Sequence, residues 1–158
     1  MEQYVAVFQR SACDTGASGD HLLLPRWGET EWRKLIAMTT PRPYKASEIV
    51  IQRGVDDHVL YFVASGALEV GVTYVDGISI TPLAKVRTGS VIGEQSFFDG
   101  QPRSANVWAV TDGELLCLTP AKYNEIAEKE PALMRELLFA LGRILSLRLR
   151  NTSLRVRR

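Results

Sequence analysis

Residues 60–77, LYFVASGALEVGVTYVDG, hold two short runs of Leu, Val, Tyr and Phe separated by Ser65-Gly66 and closed by Asp76-Gly77. Brief β-branched and aromatic runs bounded by glycine read as strands, and Asp-Gly between such runs signals a tight hairpin. The strands predicted here are Leu60 to Ala64 and Ala67 to Tyr74. Working outward, Glu48 to Gln52 on one side and Ile78 to Val86 and Trp108 to Leu118 on the other have the same character. Glycines at 54, 66, 71, 77, 89, 93, 100 and 113 punctuate the whole stretch from Tyr44 to Leu118. Such spacing predicts an antiparallel β-roll, a jelly-roll-like double-stranded β-helix.

Helical spacing appears only outside this stretch. Trp32, Leu35, Ile36 and Met38 predict a short leading helix over Glu29–Met38, stopped by Pro41 and Pro43. Thr119 can cap a second helix with Pro120 in its first position, where the missing N–H has no helical partner anyway. Pro131 then opens a longer helix in which Leu133, Leu137, Leu138, Leu141, Ile144, Leu145 and Leu147 recur at three and four. Strands followed by helices, without βαβ alternation, make the class α+β. Residues 11–20, SACDTGASGD, read as a flexible loop, so residues 1–24 are taken as an N-terminal segment and loop, 25–150 as one domain, and 151–158 as a basic tail.

The chain has 158 residues, of which 46% are hydrophobic, enough for one domain with a real core. A net charge of +1 gives no global reason to expect a nucleic-acid or membrane partner. Cys13 and Cys117 lie far apart, which argues against a disulfide framework, and the apolar N-terminal residues are too few for a signal core or a membrane span. A cytoplasmic protein with no transmembrane segment is expected.

One segment does not behave as sheet: Gly93-Glu94-Gln95-Ser96-Phe97-Phe98-Asp99-Gly100-Gln101-Pro102-Arg103-Ser104-Ala105. Gly93 lets the chain turn, Glu94 to Phe98 can form one turn of helix, and Asp99-Gly100 ends it. The first turn of a helix leaves backbone N–H groups unpaired, and these attract an anion. Arg103 follows within reach, and a guanidinium can hold two phosphate oxygens. Glu94 would repel a phosphate but can accept from a sugar hydroxyl. Together the three features describe a ribose beside a phosphate.

This segment resembles the phosphate-binding cassette of the cyclic-nucleotide-binding domain family, the catabolite activator protein-like β-roll. Ile51-Gln52-Arg53-Gly54 and Leu60-Tyr61-Phe62-Val63-Ala64-Ser65-Gly66-Ala67-Leu68-Glu69-Val70 are similar to the family's strand-turn-strand hallmark. The match covers about residues 25–150. The resemblance implies that Glu94 accepts from the ribose 2′-hydroxyl, that Arg103 and Ser104 contact the cyclic phosphate, and that Gly93, Gln95, Ser96 and Ala105 line the pocket. It implies cAMP or cGMP as ligand, with no cofactor and no metal.

Two departures stand out. Gln95 sits where the family usually carries an aliphatic residue, and it either alters the pocket floor or faces solvent. Where the catabolite activator protein contacts the base with a Thr-Ser pair, the final helix here places Arg148-Leu149, so Arg148 is the candidate for stacking on a purine. The apolar stripe of that helix suits a lid, a homodimer seam, or both.

Enzyme chemistry finds little support. His21 and His58 are the only histidines, which is too few for a cupin-type metal centre. No Ser/His/Asp or Cys/His set is apparent, no Gly-rich phosphate loop leads to Lys-Ser/Thr, and Asp56-Asp57 reads as an ordinary turn. The expectation is a sensor module without a DNA-binding domain of its own, which couples a cyclic nucleotide to movement of the final helix and to an unknown downstream protein. The alternative is a degenerate, non-binding roll that serves as a dimerisation or docking module.

Overall fold

The structure is a computed structural model that describes residues 1–13, 21–73 and 80–156. It divides into two compact units, Thr39–Pro120 and Met1–Met38 with Ala121–Arg158.

The first unit is the β-roll. Its eight strands are β1 (Thr40–Tyr44), β2 (Ile49–Ile51), β3 (Leu60–Ser65), β4 (Ala67–Thr73), β5 (Ile80–Arg87), β6 (Val91–Ile92), β7 (Asn106–Ala109) and β8 (Gly113–Leu118). They form two four-stranded antiparallel sheets, ordered β1-β8-β3-β6 and β2-β7-β4-β5. Val50, Ile51, Tyr61, Val63, Leu68, Val86, Ile92, Val107 and Leu115 meet in a single buried cluster. Burying each such side chain is worth roughly 1.5–3 kcal/mol, so this inner layer is what holds the roll together.

Three local outcomes depart from the sequence reading. β1 lies in TPRPY, where Pro41 and Pro43 were expected only to stop a helix; it pairs β8 alone, and an edge strand tolerates residues with no N–H to donate. Trp108 to Leu118, expected as one strand, is split: β7 belongs to one sheet and β8 to the other. Val110–Asp112 carries the chain across, held by the Val110 N–H to the Ala67 carbonyl (2.9 Å) and by the Ala46 N–H to Asp112 Oδ1 (2.8 Å). The two-residue β6 pairs with Tyr61 and Phe62 and delivers the chain to Gly93. The Asp76-Gly77 turn lies outside the described residues.

The second unit contains α1 (Glu2–Cys13), α2 (Glu29–Ile36), α4 (Pro120–Lys129) and α5 (Pro131–Val156), and α3 belongs to the roll. α1 was not read from the sequence. It forms because Val5 and Phe8, three apart, bury one face, and Phe8 stacks on Trp32 of α2 at 5.2 Å. Ser11–Cys13 of the expected loop therefore belongs to a helix, and residues 14–20 lie outside the described residues. Glu31 reaches back to the Gly28 N–H (2.8 Å) at the start of α2. Trp27 packs edge-on to Trp32 and donates to Glu136 of α5 (3.2 Å). Leu133, Met134, Leu137, Leu141 and Ile144 bury the inner face of α5. That helix continues to Val156, so most of the stretch taken as a tail is helical.

Candidate functional site: the turn between β6 and β7

The site begins at Gly93, whose φ of +80° lies in the left-handed region. A Cβ there would fall against Nη1 of Arg103 and 2.8 Å from the Val59 carbonyl oxygen, so only glycine fits both the turn and the space. α3 (Glu94–Asp99) follows, and Gly100, at φ +64°, closes it with its N–H on the Ser96 carbonyl at 3.1 Å. Phe97 donates to Gly93 O at 3.2 Å, so the helix's own ladder starts there. The amides of Glu94, Gln95 and Ser96 precede that first bond, and no side chain caps the turn. The sequence expectation of a single helical turn between Gly93 and Gly100 is what the backbone adopts.

The loop after α3 straps Arg103 to the strand opposite. The Arg103 N–H donates to Val55 O (2.9 Å), and the Gly54 N–H donates to Arg103 O (2.8 Å). The side chain then runs inward until only 2% of it is exposed. Nη1 donates to Gly93 O (3.1 Å), and Nη2 donates to Val59 O (2.7 Å) and to Asp57 Oδ2 (2.8 Å). The guanidinium carbon also lies 5.4 Å from the centre of the Tyr61 ring. Of the five guanidinium N–H donors these contacts occupy three, and Nε is buried with no partner among the described residues.

Asp57 is the counter-charge. Its other carboxylate oxygen accepts from the Val59 N–H (2.9 Å), and Tyr61 donates to Oδ2 at 3.1 Å. Burial alone would raise the Asp57 pKa. The Arg103 hydrogen bond, the Val59 amide, the Arg103 charge and the Tyr61 hydroxyl outweigh that and hold it below the usual carboxylate range. Burial, then the Asp57 charge, pushes the Tyr61 phenol up. The arrangement is an ion pair with a lid of backbone carbonyls, and its charges nearly cancel.

The structure brings together most of the residues singled out from sequence. Glu94 and Ser96 are buried, at 4% and 3% exposure, on the turn that Gly93 opens. Gln95 faces solvent, and its Oε1 accepts a hydrogen bond from the Ser104 hydroxyl, which is also exposed. Ala105 is half-buried beside them. Arg148 lies half-buried in α5, in the other unit. Sequence reasoning missed Asp57 and Tyr61. Their signal was present: an arginine placed among Val, Ile and Phe runs needs a counter-charge, and the paired acids at 56 and 57 stand immediately before the buried strand β3.

Among the described residues no three or more His, Cys, Asp or Glu side chains are grouped to hold a metal ion. No described helix is long and apolar enough to cross a membrane.

Comparison with known proteins bears directly on this geometry. The chain is 34% identical over 94 residues to a cAMP-dependent protein kinase regulatory subunit from Dictyostelium discoideum, a match covering 60% of this chain and 28% of that one. It is 33% identical over 102 residues to the cyclic AMP receptor protein of Thermus thermophilus, covering 65% of this chain and 47% of that one. The chain thus spans less than half the length of either relative. A solved cyclic nucleotide-binding domain from Methylobacillus flagellatus shares the fold, with a TM-score of 0.82 over 98% of this chain and 83% of its own, at 22% identity. The family model described as "Cyclic nucleotide-binding domain" matches residues 41–130, which take in the roll, the Gly93 turn and Arg103, and the chain belongs to that family.

Proposed function

We propose that the chain is a regulatory sensor that binds a cyclic nucleotide, cAMP in preference to cGMP, in the turn between β6 and β7. The observation that carries this reading is the buried Arg103 guanidinium, with its Nε–H unpartnered, beside the uncapped first turn of α3. The cyclic phosphate carries one negative charge. Asp57 already offsets Arg103, so in this reading the anion is held mainly by the α3 amides, with the remaining guanidinium donors and Ser104 adding to them. Gly93, Gln95 and Ala105 shape the contact surface, and the Glu94 carboxylate accepts from the 2′-hydroxyl, the one sugar hydroxyl a 3′,5′-cyclic nucleotide leaves free. The preference for cAMP rests on the names of two of the curated relatives, one a cAMP-dependent regulatory subunit and one a cyclic AMP receptor.

The output in this reading is a shift in α5. Ligand that binds one helix position more tightly than another moves the population by that difference in affinity. Arg148 is the candidate for stacking on the base. Phe139 and Leu149 are 76% and 69% exposed on α5, and Gly142 faces open space. With Ser146 and Ser153 they recur at spacings of three and four, which supports α5 as the seam of a homodimer. Two of the relatives are a regulatory subunit and a receptor, which supports a role without catalysis and a downstream protein that reads the helix.

Calorimetric titration of the chain with cAMP and cGMP tests the reading. Heat is expected with the wild type, and Glu94→Gln should weaken binding by about tenfold in protein that is still folded, because a charged acceptor for the ribose is lost. Silence with both nucleotides in folded protein would overturn it. One observation favours the second reading, a non-binding docking module: the Ser104 hydroxyl is already engaged by Gln95, and three Arg103 donors are engaged by the roll itself.

A further inference from the structure

Residues 23–26 and the outer side of α5 enclose a surface groove in the helical unit, and none of its lining residues belongs to the turn between β6 and β7. Leu24 and Ala140, both buried, line it with the half-buried Leu23 and the exposed Pro25. Phe139 lines it too, and at 76% exposure it is the least covered large apolar side chain among the described residues. Three cations border the same groove, Arg26, Arg135 and Arg143, all of them exposed. Its one carboxylate is already engaged: Glu136 Oε2 accepts from the Trp27 indole N–H (3.2 Å), and Oε1 pairs with Arg26 (3.3 Å). Positive charge therefore exceeds negative around an apolar strip. Phenylalanine and arginine are both enriched where proteins meet.

We propose that this groove docks a segment of a downstream protein in which an apolar side chain, seated on Phe139, is flanked by carboxylates that meet Arg135 and Arg143. These three residues follow one another at spacings of four, so they stand in one row along α5. A row of cation, ring and cation is complemented by acid, apolar and acid. A second copy using the same patch would set arginines against arginines, since an isologous contact presents a surface to itself. The homodimer seam proposed above lies on the other flank: at about 100° per residue, Ala140 and Arg143 turn to one side of Phe139, and Gly142 and Leu149 to the other. A continuous phosphate surface, lipid or nucleic acid, would also face the Glu136 carboxylate, whereas a peptide brings N–H donors along with its acids. The inference goes beyond nucleotide binding and rests on the sensor reading only for what the docked protein does.

The test is fluorescence anisotropy of the chain with a labelled peptide, a leucine pair set among glutamates and aspartates. Saturable binding is expected. It should weaken by about tenfold in Phe139→Ala, where an exposed anchor is lost and the core is untouched, and by about tenfold in Arg135→Glu. Added salt should weaken it as well. Ile49→Ala, which trims an exposed apolar side chain on β2, should leave it unchanged. The docking proposal is overturned if the wild type does not bind, if Phe139→Ala binds equally well, or if a leucine-free acidic peptide or vesicles of anionic lipid bind as tightly. Sedimentation equilibrium covers the remaining occupant: self-association that Phe139→Ala abolishes, with no peptide bound, gives the groove to a second copy and also overturns the proposal. Heat with cAMP while the peptide stays free removes the dock and keeps the sensor, and bound peptide with silence toward cAMP does the reverse.

Discussion

Two places in the roll use glycine to make room for the polar tip of a buried side chain, and they end differently. At one, the Tyr44 hydroxyl donates to Ser65 O (2.7 Å), with Gly66 and Gly113 pressed against it. Its single donor is used, and burial pushes its pKa up to about 12. At the other, Gly93 is pressed against the Arg103 guanidinium, where three N–H groups are used and Nε–H is left over. The packing is alike in both. A closed hydrogen-bond count makes a structural pin, whereas the turn proposed for the nucleotide keeps a buried guanidinium donor in reserve.

Placing a methyl group at each glycine should separate the two. In Gly113→Ala the Cβ would land on the Tyr44 hydroxyl and the Ser65 carbonyl, and in Gly93→Ala on Arg103 Nη1 and 2.8 Å from Val59 O. Each should cost about 3 kcal/mol of stability, measured by urea unfolding, since neither backbone contact can yield cheaply. The variants should differ in binding: Gly113→Ala should leave the cAMP affinity of the folded protein unchanged, and Gly93→Ala should abolish titration heat. Equal losses of affinity would dissolve the distinction between pin and site.

The Arg103 pair can be probed through its counter-charge. Asp57→Asn keeps the shape and one acceptor but removes the charge from beside a guanidinium with 2% exposure, and should cost about 2 kcal/mol near neutral pH. Because the Asp57 pKa is held down in the folded protein, its contribution is fully present above the unfolded value of about 3.9 and is lost as pH falls through the lower, folded value. The stability gap between wild type and Asp57→Asn should therefore be constant above about pH 5 and close progressively in more acid solution. Chemical unfolding at a series of pH values reads it directly. A gap that widened on acidification would mean that the carboxylate is not what steadies Arg103.

The contrast also explains what the sequence made legible. β3, β4 and the Gly93 turn were readable because each rests on local chemistry: alternating Val, Leu and Phe bounded by glycine, and a helical turn between Gly93 and Gly100 that no side chain caps. Glu94 and Arg103 followed from the same segment. What escaped was decided by partners far along the chain. β1 is a strand because β8 pairs with TPRPY, and Pro41 and Pro43 hide it from any local reading. The break at Val110–Asp112 is held by Ala67, 43 residues earlier than Val110, at the end of β7's own sheet, before β8 pairs with β1 and β3 in the other. Asp57, read as a turn residue, acquires its role only when Arg103 arrives, and the exposed Gln95 accepts from Ser104 on the loop that follows α3.

The smallest effect belongs to the closed pin. Tyr44→Phe removes one hydrogen bond and leaves the ring in place among Val63, Leu115 and their neighbours. The Ser65 carbonyl it abandons belongs to an exposed residue, so water can replace the lost donor in part, and the cost should be about 1 kcal/mol. Nucleotide affinity should not move, because Tyr44 has no donor beyond the one it spends on Ser65. An equilibrium urea melt compared with a cAMP titration on the same sample checks both halves. A changed affinity would show that the two glycine-lined positions communicate, and the roll would then have to be treated as one coupled element and not as a pin and a site that happen to share a core.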